Sequence, residues 1–171
     1  EHNALVVGGG LAGLTAALTL AGQGFPVILI ERERELGGNL SHIHYTLQGN
    51  DPQALLRRLV EQVRAHPAIR VHTGTELLEV GGYVGRFQSR LHHKDEDRVE
   101  EIAHGAIVVA TGAEGYTPKP GEYLYGQHPG VLTQRELEEG LAAGTGAPAG
   151  AAYVMVQCVG SRNEEHPYCS R

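Results

Sequence analysis

The chain has 171 residues, enough for one ordinary domain with a sizeable core, and its 41% hydrophobic and 20% charged residues mark it as globular rather than disordered. A formal net charge of −6 argues against a nucleic-acid partner, which needs a basic patch. No apolar run reaches membrane-spanning length, because the richest stretch, 11–22, is broken by Thr15, Thr19 and Gly22.

The first strand is expected near 4–8, a helix near 11–23 and a second strand near 26–31, with Gly24-Phe25-Pro26 punctuating the gap. A polar loop, Arg32 to Gly38, leads into a stretch without clean period at 39–50. Asp51-Pro52 then reads as a helix start, Asp as cap and Pro at the first helical position, with helical apolar spacing from Ala54 to Val63 and a stop at His66-Pro67. Ile69 to Thr73 is a third strand. Short alternating runs at 76–80, 83–91 and 98–104, separated by Gly81-Gly82 and by Lys94-Asp95-Glu96-Asp97, predict a small antiparallel meander. Ala106 to Ala110 is a continuous apolar run that suits a strand buried on both faces. A Pro/Gly/Tyr-rich loop covers 113–130. A helix at 133–143 opens with a capping box, Thr133 and Glu136. A linker at 145–151 divides a nucleotide-type domain, 1–144, from a last strand at 152–157 and a polar tail, the start of a following domain at 152–171. The fold class is α/β: a Rossmann-like parallel sheet with helices plus a three-stranded antiparallel meander.

Three glycine signals carry the chemistry. Gly8, Gly10 and Gly13 fill G-x-G-x-x-G between an apolar strand and a helix, and a second strand ends in Glu31 at the expected distance. Gly8 permits the turn, Gly10 lets a pyrophosphate approach the backbone near Leu11 and Ala12, and Gly13 lets the helix pack closely. The amides and positive dipole end of the helix then face the phosphates. Glu31, followed by Arg32, can accept hydrogen bonds from a ribose, and a carboxylate there disfavours a 2′-phosphate. Gly37-Gly38, ahead of Asn39 and Leu40, offers a second stretch of backbone to the same pyrophosphate. Thr111-Gly112 ends the 106–110 strand at the carboxyl edge of the sheet, where open α/β sheets bind ligands.

These signals, in this order and with a meander between the second and third, resemble the FAD-binding domain of the glutathione reductase and thioredoxin reductase class. The segments Gly37 to Leu47 and Val156 to Arg171 are similar more narrowly to the A subunit of CoB–CoM heterodisulfide reductase and its bacterial relatives, over nearly the whole chain. The resemblance implies FAD contacts at Gly8, Gly10, Leu11, Ala12, Gly13, Glu31, Arg32, Gly38, Asn39, Leu40, Thr111 and Gly112. It implies an electron-transferring component of a redox complex that works with other subunits. In that family the Tyr168-Cys169-Ser170-Arg171 segment continues into further cysteines that ligate a [4Fe–4S] cluster. Here Cys158 and Cys169 supply at most half of such a metal site, since a cubane wants four thiolates. No residue qualifies as an acid, base or nucleophile.

The chain therefore reads as a fragment that keeps the ADP half of an FAD site, binds FAD weakly or not at all, and is inactive alone. Two other readings stay open: an NAD-dependent dehydrogenase domain using the same fingerprint, and a non-catalytic scaffold in a redox complex. Two late cysteines do not make a secreted disulfide framework, and no signal peptide precedes the first strand, so the expected compartment is the cytoplasm. His42 and His44 read as polar loop histidines rather than a metal pair, and His92-His93, in the charged turn, are expected to be solvated.

Overall fold

Continuous apolar strands, Leu5-Val6-Val7 and Val27-Ile28-Leu29-Ile30, need cover on both faces, and both faces are covered. A computed structural model describes residues 1–146 and 150–168. Contacts divide the chain into two units, Glu1–Gly112 and one beginning at Ala113. In the first unit, β1 (Ala4–Val7), β2 (Val27–Ile30), β3 (Ile69–His72) and β7 (Ala106–Val109) form an all-parallel sheet in the order β3-β2-β1-β7. One face packs on α1 (Leu11–Gly22) and α2 (Pro52–Ala65), through Val6, Leu14, Ala17, Leu29, Leu56 and Val63. The other face, Leu5, Ile28 and Ile30, meets Leu91, Leu77 and Ile102 of the meander. That meander is β4 (Thr75–Tyr83), β5 (Arg86–His93) and β6 (Arg98–His104), antiparallel throughout.

Local chemistry sets the ends. The Asp51 side chain accepts from the Ala54 amide at 2.9 Å, and Pro52 takes the first turn of α2. β4 runs straight through Gly81-Gly82, against the expectation that this glycine pair separates one strand from the next. Tyr83 pairs with Arg86, so the reversal falls at Val84-Gly85, where Gly85 has φ +89°.

β7 departs from expectation too. It is an edge strand, hydrogen-bonded only to β1 among the described residues, and Val109 is 68% exposed. A continuous apolar run promised burial on both faces, but burial depends on a second neighbour, which lies beyond any local pattern. Val108 and the α1 residues Leu11, Thr15 and Thr19 border an open apolar groove of about 700 Å³.

In the second unit, a short 3₁₀ turn at Glu122–Leu124 precedes α3 (Gln134–Ala142). The capping box forms: the Glu136 amide donates to Thr133 Oγ1, and the Thr133 amide to Glu136 Oε2 at 2.7 Å. Residues 152–157 do not form the expected strand. Tyr153, Val154, Met155 and Val156 are 52–90% exposed, and this β-rich sequence pairs with no strand among the described residues, so it has no ladder to join. Within the expected linker, residues 147–149 lie outside the described ones, as does Cys169. No helix among the described residues is long and apolar enough to cross a membrane.

Candidate dinucleotide site

The carboxyl ends of β1, β2 and β7 bring the three glycine signals together. Gly8 leaves β1 with φ +109°, and a Cβ there would overlap the Ala110 carbonyl at the end of β7. Thr111 and Gly112 therefore follow immediately beside the first glycine turn, both exposed. Gly10 caps α1, and no side chain closes that helix end, whose first turn holds no acidic residue. Its opening amides and the positive end of the dipole are left to a ligand. Gly13 sits one turn in, where a Cβ would overlap the carbonyl of Gly8, so α1 lies directly on the end of β1. Leu11 and Ala12 are exposed at the mouth.

The second glycine pair packs on the first. The Gly37 amide donates to Gly9 O at 2.9 Å, and Gly10 and Gly37 form a parallel bridge. Gly38 faces Gly10 closely enough that a Cβ on Gly38 would press on Gly10 Cα at 3.1 Å. The 3₁₀ turn Gly38–His42 follows, with Asn39 exposed and Leu40 buried. Gln53 of α2 fixes this turn by donating to the carbonyls of Leu40, at 3.0 Å, and Ile43, at 2.7 Å.

Glu31 is the best-defined group. It is only 8% exposed, and both carboxylate oxygens accept backbone hydrogen bonds, Oε2 from Gly9 at 2.6 Å and Oε1 from Glu33 at 2.9 Å. Two amide donors fix the carboxylate at the rim of the glycine turn and leave lone pairs over, since each ionised oxygen can accept two bonds. Arg32 is exposed and pairs with Glu33 at 3.4 Å.

The surroundings of Glu31 contain groups the sequence reading missed. The Glu31 amide donates to His72 O at 2.9 Å, and Glu31 O accepts from Thr75 at 2.8 Å. Thr75, His93 and Glu100 form a side-chain chain behind them: Thr75 Oγ1 lies 3.1 Å from His93 Nδ1, and His93 Nε2 lies 2.9 Å from Glu100 Oε2. His93 is thus buried at 8% exposure, not solvated in the turn. The sequence does hold a signal for this: Ser89, Leu91 and His93 share a strand face, and Leu91 marks that face as inward. His92 on the other face does reach the turn, at 2.9 Å from Asp97. Burial first, and then the neighbouring His93, pushes the His72 imidazole below its ordinary value. The Arg98 hydrogen bond first, with His93 adding to it against burial, holds the Glu100 carboxyl below its ordinary value.

The described residues hold no cluster of three or more His, Cys, Asp or Glu side chains arranged for a metal ion. Cys158 lies in a turn with φ +61°, its carbonyl accepting from the Ser161 amide at 3.0 Å.

A glycine turn under a helix start, with a fixed carboxylate at its rim, is common to many nucleotide enzymes. The profile of the pyridine nucleotide-disulphide oxidoreductase family matches residues 2–143. The chain belongs to that family. Among curated relatives, the ferredoxin:CoB–CoM heterodisulfide reductase A subunit of Methanosarcina mazei is 26% identical over 261 positions, covering 100% of this chain and 33% of the relative. The second CoB–CoM heterodisulfide reductase iron-sulfur A subunit of Methanopyrus kandleri is 42% identical over 99 residues, 55% of this chain and 15% of the relative. The chain thus spans between 13% and 39% of the length of such curated relatives. An alignment of 261 positions against 171 residues also means that such relatives carry extra residues inside the matched span. Among solved structures, L-proline dehydrogenase from P. horikoshii aligns with TM-score 0.62 and 26% identity, over 85% of this chain and 29% of that one. Thioredoxin reductase of Lactococcus lactis aligns with TM-score 0.57 over 74% of this chain and 41% of that one, and at 20% identity shares the fold.

Proposed function

We propose that residues 1–112 hold the ADP half of FAD, and that the chain is the nucleotide-binding portion of a flavin-dependent oxidoreductase component of the heterodisulfide reductase A type. The observation that carries this is Glu31, fixed by the Gly9 and Glu33 amides beside an uncapped helix start. The fit to the cofactor is good: a Cβ on Gly10 would meet nothing nearer than Gly38 Cα at 3.9 Å, so the space beside it belongs to no protein atom.

In this reading Gly8, Gly10 and Gly13 shape the cradle, and the Leu11 and Ala12 amides donate to the pyrophosphate. Glu31 accepts from the ribose hydroxyls, and Arg32 flanks it. Gly38, Asn39, Leu40, Thr111 and Gly112 line the side toward the flavin. FAD supplies the redox chemistry, and this chain's residues orient it. Partner subunits and a cytoplasmic setting belong to the same proposal, supported by the relatives' names and by the sparse cysteines.

The residues do not fit an iron–sulfur cluster. A cubane needs four thiolates and the chain has two cysteines, so no cluster is assigned to Cys158 and Cys169.

Calorimetric titration with ADP, FAD and NADH tests the proposal. ADP and FAD should bind with similar affinity, because only the ADP half has a complete site. FAD held far more tightly than ADP, or NADH binding while FAD does not, would overturn it.

A further inference from the structure

The hydrogen-bond chain behind Glu31 has a property of its own. A hydroxyl has one proton, and the Thr75 hydroxyl donates it to Thr73 O at 3.0 Å. Thr75 Oγ1 can therefore only accept from His93 Nδ1, at 3.1 Å. On the other side of the ring, the Glu100 carboxylate also only accepts, and it takes Arg98 Nη1 at 3.0 Å as well as His93 Nε2 at 2.9 Å. Both ring nitrogens of a buried histidine are thus engaged, and the ring bridges Thr75 and Glu100.

That ring is coupled to the candidate site through backbone. Thr75 donates its amide to Glu31 O at 2.8 Å, Gly74 donates to Glu33 O at 2.8 Å, and Lys94, next to His93, donates to Gly74 O at 2.9 Å. The 73–75 turn is the shared element: His93 holds it from the meander, and it holds Glu31 and Glu33.

We propose that His93 is a positioning residue for the nucleotide site: hydrogen-bonded at both ring nitrogens, it ties β6 to the turn that fixes Glu31, and losing that bridge loosens the turn and weakens nucleotide binding. The inference rests on Glu31 being the ribose acceptor. The charged and titratable neighbours of the ring are His72 on β3, Glu96 in the turn after β5, and Glu100 with its partner Arg98 on β6. Lys94 turns away, to Glu76 Oε1 at 2.6 Å and Arg32 O at 3.2 Å. The His72 ring centroid lies 5.3 Å from that of His93, and burial, then that neighbour, pushes the His72 imidazole below its ordinary value.

The test uses the 171-residue chain without ligand and then with ADP, by NMR. In His93→Gln the Gly9 and Glu33 amide shifts, which report the Glu31 carboxylate, should move away from their wild-type values, and ADP affinity should fall about fivefold, the low end for coupled sites. Thr75→Val should behave like His93→Gln, and Thr75→Ser, which keeps the acceptor, like the wild type. Gly9 and Glu33 amide shifts in His93→Gln that match those of the wild type would overturn the inference. Glu31→Gln separates the two claims. If it leaves ADP affinity unchanged, the ribose reading falls and takes the nucleotide half of this inference with it, while the amide shifts judge the His93 link alone.

Discussion

Replacing Gly13 by alanine puts a methyl group where α1 crosses the end of β1. In an unobstructed helix Gly→Ala stabilises by about 1 kcal/mol. Here the Cβ overlaps the Gly8 carbonyl, which is backbone and cannot rotate away, so the helix must retreat. Overpacking of this kind costs about 1–3 kcal/mol, and rigid backbone on both sides places it at the upper end. The net loss is then about 2 kcal/mol, or roughly 4–8 °C in Tm for a chain of this size. Gly22, at the other end of the same helix, is the control: a Cβ there meets nothing within 4 Å. Circular-dichroism melts should show Gly13→Ala destabilised and Gly22→Ala neutral or slightly stabilised. The retreat also drags the first-turn amides from the cradle, so ADP binding should weaken in Gly13→Ala only. A Gly13→Ala chain as stable as the wild type would refute the close approach on which the site geometry rests.

Acid stability follows from the buried imidazoles. His104 is fully buried, its Nδ1 donating to Ala106 O and its Nε2 accepting from Ser89 Oγ, and burial pushes it below 6.5 against a smaller opposing effect of the Ala106 bond. A histidine depressed in the folded state binds its proton first when unfolded, so stability is full above the unfolded value and falls as pH drops through it; His72 has the same sign. The urea midpoint should be lower at about pH 5.5 than at about pH 7.5, and His104→Gln should narrow that difference; equal midpoints in the wild type would contradict the burial argument. Removing the Asp51 cap by Asp51→Ala should cost about 1 kcal/mol in urea unfolding. Val109→Thr on the exposed edge strand should stay within about 0.5 kcal/mol, whereas Leu5→Ala in the centre should cost about 2–5 kcal/mol; comparable losses would mean that β7 is buried after all.

The sequence is most legible where chemistry is local. Gly8, Gly10, Gly13 and Glu31 stand at spacings that strand, turn and helix geometry translate directly, and the caps of α2 and α3 form between residues three apart. It is least legible where a partner decides. Ala106–Val109 and residues 152–157 have the same apolar, β-rich character, yet one joins β1 as an edge strand and the other finds no ladder among the described residues. Glycine punctuation misleads at Gly81-Gly82, because a strand absorbs glycines where the paired strand continues past them. His93 is misplaced by its neighbourhood in sequence: the charged turn begins one residue later, and the inward face of β5 extends to its last residue.

The central claim is that an ADP cradle exists in residues 1–112. Amide chemical-shift mapping with ADP tests it most directly. A formed cradle predicts saturable shifts at Leu11, Ala12 and Gly13, at Gly9 and Glu33 beside the ribose carboxylate, and at Gly38. It further predicts weaker binding of the 2′-phosphorylated analogue. Shifts absent from this set while others appear in the 113–168 segment, or an analogue that binds as tightly as ADP, would contradict it.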